Sequence, residues 1–166
     1  RDEPELRFGP WALRAHLARA LRLAGIQDPT PVQAAALEPL RGGADALLHA
    51  ETGSGKTLAY LLPLLRDADW ARPRGVVVAA PSRELAVQVG REAAALMAGR
   101  ADLVELVLSS AEGGGAGPHP ALATERPVVV GTARQLMAAL DSAPDEEARR
   151  AFLAPARAVV LYEVDR

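Results

Sequence analysis

The eight residues from Ala50 to Thr57, A-E-T-G-S-G-K-T, restrict the folds open to this chain more than any other stretch. They follow the phosphate-binding loop pattern, with Ala50 where the first glycine usually stands, Gly55 before the lysine and Thr57 after it. Such a loop works between the end of a strand and the first turn of a helix. Both flanks are present in the sequence, as an apolar run from Ala44 to Leu48 and a helix-like run from Thr57 to Leu65. Lys56 is the single lysine among 19 basic residues, and the others are arginine. A compact ammonium on a flexible stem reaches a β- or γ-phosphate inside a tight loop, where a planar guanidinium fits poorly. The stretch Thr52, Gly53, Ser54, Gly55 is expected to turn backbone N–H groups toward phosphates, and Thr57 to offer its hydroxyl to a magnesium ion.

Beyond the loop, Gly75–Ala80, Leu103–Ser109, Pro127–Gly131 and Ala158–Leu161 are short apolar runs suited to buried strands. With Ala44–Leu48 they make five strand candidates alternating with helical stretches, the pattern of an α/β fold whose parallel sheet is flanked by helices. A first helix is expected from Trp11 to Ala24, with Leu13, Leu17, Ala20, Leu21 and Ala24 on one face, Pro10 in its first turn and Gly25 past its end. A second helix is expected to start near Pro31, and a short one with a solvated charged face over Asp145–Phe152. The 166 residues suit one domain with a single core, at 49% hydrophobic and 24% charged. Without cysteine there are no disulfides or thiolate metal sites, and His16, His49 and His119 are too scattered for a metal cluster.

A formal charge of -2 supplies no overall basic field, so any nucleic acid must be held by a local patch. No run approaches the roughly 20 apolar residues that span a bilayer, so no membrane partner is expected. Arg14, Arg19 and Arg22 give the first amphipathic run a superficial likeness to a mitochondrial transit peptide, against which the acidic Asp2, Glu3 and Glu5 argue. An intracellular setting is expected, with nucleus, cytoplasm and mitochondrion all open. The chain does not begin with methionine, so targeting is not read from it.

The nonapeptide Gly25–Gln33, G-I-Q-D-P-T-P-V-Q, resembles the Q motif of DEAD-box RNA helicases, with Phe8 upstream where those proteins place an adenine-stacking aromatic. That resemblance implies that Gln33 reads the adenine edge with its amide donor and acceptor. On residue chemistry alone, Gln33 serves equally as a helix cap and Phe8 as core. Pro81–Gln88, P-S-R-E-L-A-V-Q, resembles motif Ia, which implies that Pro81 and Arg83 approach an RNA phosphate; a solvated first helical turn is the plain alternative. Gly113 and Gly114 fall where the family has a glycine pair against RNA. Thr132–Leu136, T-A-R-Q-L, departs from the family's T-P-G-R-L: Thr132 is kept for a phosphate, while the proline and glycine are gone and the arginine is shifted or replaced by Gln135. The resemblance thus implies a RecA-like N-terminal domain, preceded by a Q-motif segment over residues 8–33 and truncated after motif II. It further implies ATP and magnesium as cofactors, RNA as partner, and a second RecA-like domain in the intact protein. Within the family, the loop, P-S-R-E-L-A and E-G-G together are similar to mitochondrial members implicated in ribosome assembly, so a ribonucleoprotein assembly is a further implied partner.

The largest departure comes after Ala158–Leu161, where the family's D-E-A-D is replaced by Tyr162, Glu163, Val164 and Asp165. In P-loop enzymes the first carboxylate helps hold magnesium and the following glutamate orients or deprotonates the attacking water. Glu163 and Lys56 remain as catalytic residues by resemblance, and Thr57 as a metal ligand. A neutral phenol does not replace an anionic oxygen beside a dication. Two readings follow: a helicase domain coupling ATP to RNA remodelling, or a degenerate relative binding nucleotide or RNA with little turnover.

Overall fold

Valine-rich strands with no polar alternation must be covered on both faces, and this governs the sheet. The computed structural model describes residues 6–66, 73–108 and 118–162. The chain divides into two compact units, one comprising Arg1–Asp67 with Glu92–Arg100 and the other Ala68–Arg91 with Ala101–Arg166.

In the first unit, β1 (Leu6–Phe8) and β2 (Trp11–Leu13) form an antiparallel hairpin, followed by helices α1 (Ala15–Leu23), α2 (Pro31–Arg41) and α3 (Lys56–Arg66). The expected helix from Trp11 therefore begins later. Gly9, at φ +58°, and Pro10 form the two-residue turn between the strands, since a positive φ at the first turn position matches the twist of a hairpin. Phe8, Leu13, Leu17, Ala18 and Leu21 are buried, whereas Ala24 is exposed. Trp11 lies on the rim, its indole N–H donating to Glu38 Oε1 at 2.8 Å. α2 starts at Pro31, as the sequence implies, and packs on α3. The run Ala44–Leu48 is not a strand: no other strand pairs with it among the described residues, and Leu47 is 92% exposed.

In the second unit, β3 (Val76–Ala80), β4 (Val104–Val107), β5 (Val128–Thr132) and β6 (Ala158–Leu161) form a parallel sheet of order β4-β5-β3-β6. Helices α4 (Arg83–Leu96), of which the residues up to Arg91 belong to this unit, α5 (Ala133–Asp141) and α6 (Glu146–Leu153) follow β3, β5 and α5. β3 and β5 are central and buried along both faces, while β6 is an edge strand that leaves Val159 and Leu161 exposed. One face is covered by Leu136 and Ala139 of α5 and Phe152 of α6, packed with Val77, Ala79, Val107 and Val129. On the other face Gly90 of α4 lies against β4 so closely that a Cβ there would meet Leu106 Cδ2 at 2.6 Å. The α/β class with a parallel sheet flanked by helices is thus observed, with four strands in the sheet among the described residues where five were expected.

Candidate functional site

The glycine-rich loop ahead of α3 takes its shape from two residues that only glycine suits: Gly53 and Gly55 sit at φ +82° and +88°. Ser54 N–H closes a turn on Glu51 O at 3.2 Å, and α3 opens with Ala59 N–H on Gly55 O at 3.0 Å. Lys56 folds back on the loop, its ammonium donating to the carbonyl of Ala50 at 2.5 Å and to that of Glu51 at 3.0 Å. Thr52 is exposed and Thr57 half-buried at the start of α3. The Ser54 hydroxyl is buried and has no hydrogen-bond partner. Two carbonyls gather the ammonium and a buried hydroxyl is left without a partner, so the loop has donors to offer an anionic ligand.

The start of α2 is tied to this loop. Thr30 and Gln33 form a reciprocal capping box, with Thr30 N–H donating to Gln33 Oε1 at 3.0 Å. The same two side chains reach the loop, Thr30 Oγ1 donating to Ser54 O at 2.8 Å and Gln33 Nε2 to Gly55 O at 3.2 Å. Gln33 is 2% exposed, and Phe8 is buried in the same unit. In this state both ends of the Gln33 amide are engaged by the protein, so its capping role is realised. Thr30 was not singled out from the sequence, although T-x-x-Q ahead of an apolar run is the signature of such a box.

In the second unit the parallel register brings strand ends together. Ala80 is opposite Thr132, and Tyr162 N–H donates to Ala79 O at 2.9 Å. Pro81, Arg83, Thr132 and Tyr162 therefore belong to the carboxyl end of one sheet, where α4 and α5 begin. Pro81 and Arg83 are exposed, and Ser82 caps α4 by accepting from Leu85 N–H at 3.2 Å. Thr132 caps α5: its hydroxyl accepts from Gln135 N–H at 3.2 Å and donates to Gln135 Oε1 at 2.9 Å. Gln135 is buried and also donates to Leu108 O, whereas Arg134 beside it is exposed. The glutamine of T-A-R-Q-L is thus a structural capping residue, and the cation at this surface is Arg134. Gly113, Gly114 and Glu163 lie outside the described residues. His49 is exposed, and His119 caps a short turn by accepting from Ala121 N–H at Nδ1, 3.1 Å. Among the described residues no three His, Asp or Glu side chains gather to hold a metal, and no helix is long and apolar enough to cross a membrane.

A phosphate-type loop at the head of α3, with a parallel sheet carrying helices on both faces, defines the P-loop α/β class. The family model for the DEAD/DEAH box helicase matches residues 30–166, and the chain belongs to that family. It is 44% identical over 88 residues to the ATP-dependent RNA helicase DeaD of Escherichia coli K12, a match covering 52% of this chain and 14% of that protein. The fold is similar to a DEAD box protein from Methanococcus jannaschii, with a TM-score of 0.70 at 19% identity, covering 96% of this chain and 50% of that one. It is also similar to Saccharomyces cerevisiae Dbp5 bound to RNA and ADP BeF3, with a TM-score of 0.63 at 18% identity, covering 97% and 47%. These two likenesses establish the RecA-like fold. The chain spans about half or less of each relative.

Proposed function

We propose that this chain binds ATP as the N-terminal core domain of a DEAD-box RNA helicase, coupling nucleotide to RNA binding and duplex remodelling in the intact protein. The observation that carries the reading is the pair of hydrogen bonds from Thr30 and Gln33 to the carbonyls of Ser54 and Gly55. A base-reading segment bonded to a phosphate loop senses both ends of one adenine nucleotide. Phe8 and Gln33, both buried in this state, take the adenine on giving up their present contacts, and Thr52, Gly53, Ser54, Gly55, Lys56 and Thr57 take the phosphates, Lys56 exchanging its two carbonyls for phosphate oxygens. Pro81, Arg83, Gly113, Gly114 and Thr132 take the RNA backbone, with the helix N-termini of α4 and α5 adding partial positive charge. A second RecA-like domain completes the motor.

Magnesium, where bound, neutralises charge on the transferring phosphoryl group. The donors of the described residues do not make a site for it: Thr57 offers a neutral hydroxyl, and Tyr162 a neutral phenol where the family has a carboxylate. Losing one charge-stabilising element costs on the order of 10² to 10³ in rate, while the nucleotide contacts named above do not depend on it. Tyr162 thus favours a second reading, a clamp on nucleotide or RNA within a ribonucleoprotein assembly with little turnover. Equilibrium titration of a fluorescent ATP analogue, with and without magnesium, tests both. Native protein should bind with little gain from magnesium, and Tyr162→Asp should gain. Equal gain in the two proteins would remove the case for impaired metal binding, and no binding by either would refute the nucleotide site.

A further inference from the structure

β6 runs directly into Tyr162, and among the described residues it is paired on one side only, by β3. With Val159 and Leu161 both more than half exposed, side-chain packing does little to fix its register. What precedes it is fixed more firmly. Arg74, at φ +52°, stands just before β3 in a left-handed conformation that a non-glycine residue holds only when its surroundings require it. Its Nε donates to the carbonyl of Phe152 at 3.0 Å and one terminal nitrogen to that of Ala151 at 3.2 Å, at the C-terminal end of α6. The other terminal nitrogen donates to the carbonyl of Thr124, and the guanidinium lies 5.4 Å from the centre of the Phe152 ring. Arg74 N–H donates to Arg126 O at 2.7 Å, just ahead of β5. The next residue completes the clamp: Gly75 O accepts from Arg157 N–H at 2.8 Å and Ala158 N–H at 3.3 Å, where β6 begins.

We infer that Arg74 is a positioning residue that sets where β6 enters the sheet and thereby places Tyr162. The guanidinium neutralises the carbonyl end of α6, and its planar fork meets three carbonyls that diverge. A lysine keeps the charge and loses the fork. The connection from α6 to β6 is only Ala154–Arg157, so a shift of the helix end passes directly into the strand. A one-residue slip would turn every side chain of β6 to the opposite face. This rests on reading the end of β6 as the catalytic motif of the proposed function, but the packing claim stands without it.

Hydrogen exchange on the full-length protein tests the inference, comparing native protein with Arg74→Lys and Phe152→Leu at a temperature where all are folded. Arg74→Lys should speed exchange of the Val160 and Tyr162 amides, which face β3, about tenfold, with Val76–Ala80 and Val128–Thr132 unchanged, because a local opening is read apart from global unfolding. Phe152→Leu, which keeps the carbonyl contacts and loses the ring, should give a smaller rise in the same amides. Unchanged β6 exchange, or an equal rise in all strands, would overturn the inference. Affinity for the fluorescent ATP analogue should stay native in Arg74→Lys, since the bonds of Arg74 named above all lie in the second unit. If the native protein binds no analogue, the proposed function fails while the exchange result still decides the role of Arg74.

Discussion

At Gly53 and Gly55 the two phosphate-loop glycines share a positive φ but not surroundings, and this separates backbone strain from packing. A Cβ on Gly53 meets nothing within 4 Å, so Gly53→Ala carries the left-handed cost alone, about 1 kcal/mol. A Cβ on Gly55 would sit 2.4 Å from Gln33 Nε2, an amide pinned at both ends, so Gly55→Ala should lose roughly 2 to 3 kcal/mol. Urea midpoints of the two variants check the difference, and equal losses would mean that Gln33 yields without resistance. His16 supplies a pH signal at the same scale. Burial first, and the positive charge of Arg14 second, lower its pKa from the ordinary 6.5. In the folded protein the neutral form is favoured, so the unfolded chain takes up the proton first as pH falls. The stability from neutral His16 is complete above pH 6.5 and is lost below it, toward the folded pKa. The urea midpoint should therefore drop between pH 7.5 and 5.5, and His16→Gln should flatten that drop. The lysine and glycines of the loop were legible in the sequence because their chemistry is local. The reach of Thr30 to Ser54 was not, because it joins residues distant in the chain.

Element boundaries show where local pattern suffices and where pairing decides. α2 and β6 begin where the sequence implies, since Pro31 and the apolar run Ala158–Leu161 carry their own signals. The first helix begins at Ala15 and not Trp11, because Gly9-Pro10 closes a hairpin that competes for Trp11, Ala12 and Leu13. Ala44–Leu48 has strand composition without a strand, because a strand exists only through a neighbour that composition does not name. The caps show a second kind of ambiguity, in which one residue satisfies two roles on paper. Thr132 serves a phosphate by resemblance and α5 by geometry, and substitution distinguishes them. Thr132→Ala should lose about 1 kcal/mol of stability, while Thr132→Ser, which keeps the oxygen, should lose a few tenths at most. If RNA affinity falls in the alanine variant but not the serine variant, the hydroxyl serves both roles. Unchanged affinity in both would leave Thr132 as a cap only.

For the molecule as a whole, the balance of charge decides how RNA would be held under the proposed function. With 19 basic against 21 acidic residues, the chain supplies no overall basic field. RNA binding, as proposed, would therefore come from a local group of residues gathered at one place. The parallel sheet gathers Pro81, Arg83 and Thr132 at its carboxyl end, with Arg134 exposed in the first turn of α5. Each phosphate contact to a single strand contributes about -0.7 to the slope of log K against log salt. Phosphates neutralised by Arg83 and Arg134 predict a slope of roughly -1.4, far shallower than that of a basic nucleic-acid-binding surface. Arg83→Gln should make that slope less steep by roughly 0.7 and weaken binding evenly across RNA sequences, since a phosphate contact positions without reading bases. Fluorescence anisotropy with single-stranded oligonucleotides over a salt series measures both. A slope near -5 would mean that RNA lies along a surface other than this sheet end, and a sequence-dependent loss in Arg83→Gln would make Arg83 a base reader.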